Sequence, residues 1–201
     1  MRMLLAIPGL YNLFQHAVGA RRACRRIVRE HLRPRAGDRI LDIGCGTGEI
    51  LRYLPPCEYV GFDVNPDYIA YARRHFGGRG VFRCECVSQA TLQDLPPFDL
   101  AVAYGVLHHL DDAQVDDLIA LAHAALRPGG RFLSVDPVFC ERQSLADRWF
   151  TRLDRGGHVR NPDEHRRMAS RLFPGVRVEV VHGILFVPAS GVIVDCPRGG
   201  A

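Results

Sequence analysis

Between Arg39 and Asp136 the chain alternates short, nearly all-apolar runs with stretches that carry helix signals, and this rhythm limits the available folds more than any other feature. Arg39–Ile43, Tyr59–Phe62, Gly80–Val87, Phe98–Tyr104 and Arg131–Asp136 read as strands. Gly48–Leu54 reads as a helix. Asn65-Pro66 supplies a cap followed by proline at the first helical position, opening a helix to about Phe76. Asp111 or Asp112 caps another, whose buried stripe is Val115, Leu118, Ile119, Ala122 and Leu126, and Arg127–Gly130 ends it. Strands without polar alternation, joined by helices, predict a parallel sheet covered on both faces, with right-handed crossovers.

The rhythm is absent at both ends. Residues 1–35 read as a helical lid, in which Cys24, Ile27, Val28 and His31 mark one apolar face among many arginines. Those arginines suit a solvated face better than a nucleic-acid or membrane surface. Residues 36–136 read as the core. Residues 137–174, with one helix starting near Pro162, read as the substrate-side segment. In 175–201, "VRVEVVHGILFVP" and "GVIVDC" read as an antiparallel hairpin closed by a short Pro-Ala-Ser-Gly turn. With no internal repeat or linker, residues 1–201 read as one domain.

Composition excludes several classes. A net charge of +4 is too mild to argue for nucleic acid. All 26 basic residues are arginine, so Schiff-base and P-loop lysine chemistry are absent. The seven cysteines form no disulfide framework, and Cys84-x-Cys86 lacks a second ligand pair, so no metal site is predicted. Reduced thiols, no apolar run of membrane-spanning length and no export signal point to a cytoplasmic protein without a membrane span. The oligomeric state is open.

The chemistry gathers at "ILDIGCGTGEI", Ile40 to Ile50. Glycines after a first strand let the backbone approach a ligand at the carboxyl edge of an open sheet. Asp63 follows the second strand, nineteen residues after Gly44, where a carboxylate can accept both hydroxyls of a ribose. A dinucleotide fingerprint requires a third glycine where Glu49 stands, and that carboxylate would repel a pyrophosphate. A nucleoside cofactor without phosphate fits better, and Asp42 suits an ammonium group.

With "YVGFDVNPDYIAYAR", "FDLAVAYGVLHHL" and "LRPGGRFLSVD", this stretch resembles, in order and spacing over residues 36–137, the class I S-adenosylmethionine-dependent methyltransferases. The resemblance implies a Rossmann-like three-layer α/β sandwich whose seven-stranded, mostly parallel sheet ends in an antiparallel hairpin strand. It implies S-adenosyl-L-methionine as cofactor, with Asp42, Gly44, Cys45 and Gly46 at its methionine end, Asp63 at the ribose and Val64 beside the adenine. Many members place an aspartate just after strand three. Cys86 stands there, followed by Val87, so adenine contacts fall to backbone groups, or to Glu85 or Ser88. Tyr104 lines the cleft. Tyr11 is placed to close over the methionine end, with core packing the equal alternative. Cys45 reads as a small loop filler rather than a nucleophile.

Methyl transfer from a sulfonium is an in-line displacement governed by positioning, and a base is required only where the acceptor has a proton to lose. The candidates are His108, His109 and Asp136, although the Leu-His-His-Leu stretch recurs in the family across substrates, which favours a structural role. The acceptor reads as a small molecule, methylated at oxygen, nitrogen or carbon. An acidic acceptor would meet Arg148, Arg152, Arg155 and Arg160; local pairing of these arginines with neighbouring acids is the competing reading. The rival functions are a catalytically silent cofactor-binding partner and an NAD(P)-dependent oxidoreductase. No N-P-P-Y-type stretch follows strand four, which argues against a nucleic-acid acceptor. A protein acceptor stays open.

Overall fold

A computed structural model describes residues 19–153, 156–183 and 185–200. Its centre is one seven-stranded sheet in the order β3-β2-β1-β4-β5-β7-β6. The strands are β1 (Arg39–Ile43), β2 (Glu58–Phe62), β3 (Val81–Arg83), β4 (Phe98–Tyr104), β5 (Leu126–Pro137), β6 (Arg177–His182) and β7 (Ser190–Pro197). β1 to β5 pair in parallel, and β7 runs antiparallel between β5 and β6. Chain order reverses between β1 and β4, so a crevice opens above their carboxyl ends.

Alternate side chains of the apolar strands feed two cores. Ile40, Val102 and Leu133 pack with Ile27 and Leu32 from the N-terminal helical region, α1 (Ala20–Ile27) and the wide turn Val28–Leu32, and with Ile69 and Phe76 of α2 (Pro66–Phe76). Leu41, Ala101 and Phe132 face the opposite way. They meet Val115, Leu118 and Ile119 of α4 (Asp112–Ala125) and Met168 and Ala169 of α6 (Pro162–Ser170). Burial on both faces is why these strands lack polar alternation. The helix starts follow the signals: the Asn65 side chain accepts from the backbone N–H of Asp67 and Tyr68, and Asp111–Gln114 and Asn161–Glu164 form reciprocal capping boxes.

Several expected boundaries move. The helix predicted over Gly48–Leu54 is a single tight turn, Glu49–Arg52, entered from a left-handed Gly48. β3 stops at Arg83 instead of reaching Val87, because it is an edge strand with only β2 to pair with, and Cys84 and Cys86 turn to solvent. Arg127–Gly130 does not follow the helix as a loop. α4 ends at Ala125, and those residues open β5 irregularly, with Leu126 against Phe98, a register shift, and Gly129 at a φ of 76°. β6 ends at His182 and β7 begins at Ser190, so the two strands lie further apart in the chain than the expected turn allows. Two short helices carried no periodic signal: α3 (Gln89–Leu92), capped by Ser88, and α5 (Leu145–Arg152), capped by Ser144.

Candidate active site

A cleft of about 150 Å³ lies at the reversal point, lined by Ala20, Arg21 and Cys24 of α1, by Asp42, Gly44, Cys45, Gly46 and Thr47, by Glu49, Ile50 and Tyr53, and by Tyr104.

The loop after β1 is held from β2. The N–H groups of Gly44 and Cys45 both donate to the Phe62 carbonyl, at 2.8 and 2.9 Å. Asp63 accepts from Gly46 N–H at 2.9 Å through Oδ2 and from Asn65 N–H at 2.8 Å through Oδ1. Each carboxylate oxygen has a second lone pair, so these bonds leave capacity for hydroxyl donors. Gly44 has a φ of 75°, and a Cβ there would lie 2.6 Å from a Val106 methyl, so only glycine fits. Cys45 is packed as a filler: a Cβ on Gly61 would stand 2.8 Å from its sulfur, and burial pushes its thiol upward, away from thiolate character.

Asp42 is the exceptional group. It is 2% exposed; Oδ2 accepts the Tyr59 hydroxyl at 2.5 Å, and Oδ1 is buried with no partner among the described residues. Burial is the main reason its carboxyl is pushed up to about 7; the Tyr59 bond opposes the rise and the nearby Asp63 charge adds to it. An orphaned carboxylate oxygen in the wall of a cleft calls for a cationic donor, and an ammonium group supplies one. Arg21, which also lines the cleft, stands 3.6 Å from Glu49. Glu49 itself lines the cleft, unfavourably for a pyrophosphate. The residues present therefore fit an amino-acid tail joined to a ribose.

Of the residues named from sequence, the cleft brings together Asp42, Gly44, Cys45, Gly46 and Tyr104, with Asp63 joined through Gly46. Val64 is 66% exposed beyond Asp63. Cys86 is exposed and Val87 half-buried, both past the end of β3. Ser88 is engaged as the α3 cap. Tyr11 and Arg155 lie outside the described residues. His108 is buried, with its backbone N–H and Nδ1 both at Asp136 Oδ1, at 3.2 and 2.8 Å, and a side chain on Gly156 would collide with its ring. Asp136 Oδ2 and the nearby His165 Nε2 are buried without partners among the described residues, and burial depresses the His165 pKa. His109 is exposed, its ring 4.0 Å from that of His108. Neither histidine lines the cleft. Arg160 is buried and bonds the Leu107, Leu110 and His158 carbonyls and Asp112, so it braces the loop after β4.

Sequence reading missed Arg21, Cys24, Thr47, Tyr53 and Tyr59. Arg21 is one of a row of arginines, and nothing local distinguishes it. Tyr59 reads as an ordinary strand residue. Among the described residues no group of three or more His, Cys, Asp or Glu is arranged to hold a metal ion, and no helix is long and apolar enough to cross a membrane.

A doubly wound sheet with a closing antiparallel strand and a glycine loop above its reversal point defines a Rossmann-like nucleoside-binding class. Comparison with known proteins narrows this. Residues 41–132 match a family described as a methyltransferase domain. Over 130 residues the chain is 31% identical to an uncharacterised methyltransferase of Synechocystis sp., covering 59% of this chain and 56% of that one. It is 32% identical over 152 residues to acetylserotonin O-methyltransferase of Rattus norvegicus, covering 69% of this chain and 35% of the relative. The solved human N-acetylserotonin methyltransferase in complex with SAM superposes with a TM-score of 0.65 at 19% identity, covering 98% of this chain and 58% of that one. The chain is thus similar in sequence to methyltransferases and shares the fold of one solved with SAM. The chain spans about half or less of the length of these curated relatives.

Proposed function

We propose that the protein transfers the methyl group of S-adenosyl-L-methionine to a small-molecule acceptor at oxygen, nitrogen or carbon. The observation that carries this reading is the unpartnered Asp42 Oδ1 in the wall of a cleft whose floor is the glycine loop braced by Asp63. When bound, the cofactor supplies a methyl group already activated on a sulfonium, so the protein's task is alignment and exclusion of water. Asp42 takes the ammonium of the methionine end and Arg21 its carboxylate. Asp63 accepts the ribose hydroxyls, and Val64, Cys86 and Val87 flank the adenine, while Tyr104 walls the cleft.

Where the acceptor has a proton to lose, His109 is the exposed imidazole, next to the buried His108–Asp136 pair. Arg148 and Arg152, exposed on α5, serve an acidic acceptor. All seven cysteines are free thiols, which supports a reducing, cytoplasmic setting.

Titration calorimetry with S-adenosylhomocysteine, the demethylated product, tests the reading. Wild-type protein is expected to bind it, and Asp63→Ala to lose roughly 10- to 100-fold in affinity. Absence of heat with wild-type protein overturns the reading. Tight binding with no methyl transfer in single-turnover assays over a broad acceptor panel would identify the silent cofactor-binding partner instead.

A further inference from the structure

We propose that Tyr59 is a positioning residue that dedicates one oxygen of Asp42 to the ammonium of the cofactor's amino-acid tail, which ties recognition of that tail to the ionisation of Asp42. The inference rests on the methyltransferase reading and deepens it.

The register shows why this tyrosine can act. β1 and β2 pair with Ile40 opposite Tyr59 and Asp42 opposite Gly61. Tyr59 thus starts two residues below Asp42 on the same face, roughly 6–7 Å along the strand. A phenol is long enough to cover that distance, provided the position between is empty. Gly61 leaves it empty: a Cβ there would lie 3.0 Å from the Tyr59 ring and 2.8 Å from the Cys45 sulfur. Gly80, at the entrance to β3, clears the other side, where a Cβ would stand 2.6 Å from the ring. Two side chains are therefore missing where a tyrosine passes, and its hydroxyl ends 2.5 Å from Asp42 Oδ2.

The consequence for Asp42 is asymmetric. Oδ2 is occupied by a neutral donor that cannot leave, since Tyr59 is 2% exposed. Oδ1 is buried and has no partner among the described residues. Without Tyr59 neither oxygen would have a donor, and the buried carboxyl would hold its proton more strongly. A protonated acid has no charge to offer an ammonium.

The ionisable groups around Asp42 are Tyr59 and Asp63 from β2 and its end, Cys45 from the loop, Cys24 from α1, and Arg21 and Glu49 at the cleft mouth. Burial keeps both thiols and the phenol neutral near pH 7, Cys24 being pushed up to about 12. Asp42 is the group raised into that range, to about 7. Below that pH the acid is protonated in the free protein, and capturing the tail requires loss of the proton.

The test compares S-adenosylhomocysteine with 5′-methylthioadenosine, which keeps the nucleoside and lacks the amino-acid tail, by calorimetry between pH 5.5 and 8.5. For wild-type protein, affinity for the homocysteine compound is expected to fall about tenfold per pH unit below the Asp42 titration, while the tail-less nucleoside shows no such slope. Tyr59→Phe is expected to weaken the homocysteine compound about tenfold or more at pH 7.5 and to move the titration upward. It should bind the tail-less nucleoside within about threefold of wild type, a change too small for a lost hydrogen bond. Equal losses for both ligands, or none for the homocysteine compound, overturn the proposal. Should Tyr59→Phe not fold, Asp42→Asn carries the test: binding of the homocysteine compound is expected to be weak and flat with pH, and a persisting slope overturns the proposal. Wild-type protein that binds neither nucleoside refutes the methyltransferase reading itself, and the proposal with it.

Discussion

Asp42 is held in the folded protein at a cost. Its carboxyl is raised from 3.8 to about 7, mainly by burial, so the native state binds a proton there that the unfolded chain has lost. By linkage the contribution to stability falls as pH rises from the unfolded pKa to the folded one, and the full penalty is present above about 7. Asp42→Asn removes the charge and leaves the amide oxygen for the Tyr59 hydroxyl. We expect this variant to be more stable than wild type at pH 8, by as much as about 4 kcal/mol, and to lose that advantage near pH 4. Urea unfolding at the two pH values measures the difference. At the neighbouring position, Gly44→Ala places a methyl group against Val106 in a left-handed backbone conformation, and calorimetry should find binding of S-adenosylhomocysteine reduced by roughly tenfold or more.

The elements around the cleft are held by buried polar groups at their ends. Arg160, 5% exposed, donates to the carbonyls of Leu107, Leu110 and His158 and so joins the loop after β4 to the segment before α6. Arg160→Met leaves those carbonyls without their donor and should cost about 3 kcal/mol in chemical denaturation, whereas Asp112→Asn, on the exposed side of the ion pair, should have a much smaller effect. Asp147 does similar work for α5: it accepts from Ser190 N–H and hydroxyl at the start of β7 and from the Gln143 amide. Asp147→Leu is expected to speed amide hydrogen exchange across residues 141–153. These polar anchors were invisible in sequence, because an arginine or aspartate in an irregular segment looks like any solvated charge. Helix caps were legible, since a cap and its partner lie within three residues of one another.

For the whole molecule, the strand that closes the sheet comes last in the chain and lies second from its edge. β7 pairs with both β5 and β6, and Val192, Ile193, Val194 and Cys196 are buried. A chain ending at Gly183 would expose the flank of β5 and leave β6 without a neighbour; far-ultraviolet circular dichroism and size exclusion should show no folded species. Binding should stabilise the intact fold by mass action: S-adenosylhomocysteine at one hundred times its Kd is expected to add about 2.7 kcal/mol, roughly 5–10 °C in Tm.

The sequence by itself determined the succession of strands, the helices opened by Asn65 and by Asp111 or Asp112, the glycine loop and the carboxylate after β2. All of these are written in contacts between near neighbours or in the apolar character of strands buried on both sides. Tertiary structure alone decided where β3 stops, since an edge strand has one partner, and which arginine reaches the cleft or the interior. It also decided that Tyr59 crosses two glycines to reach Asp42, because the distance between those groups is set by the register of paired strands and by no local pattern in the chain.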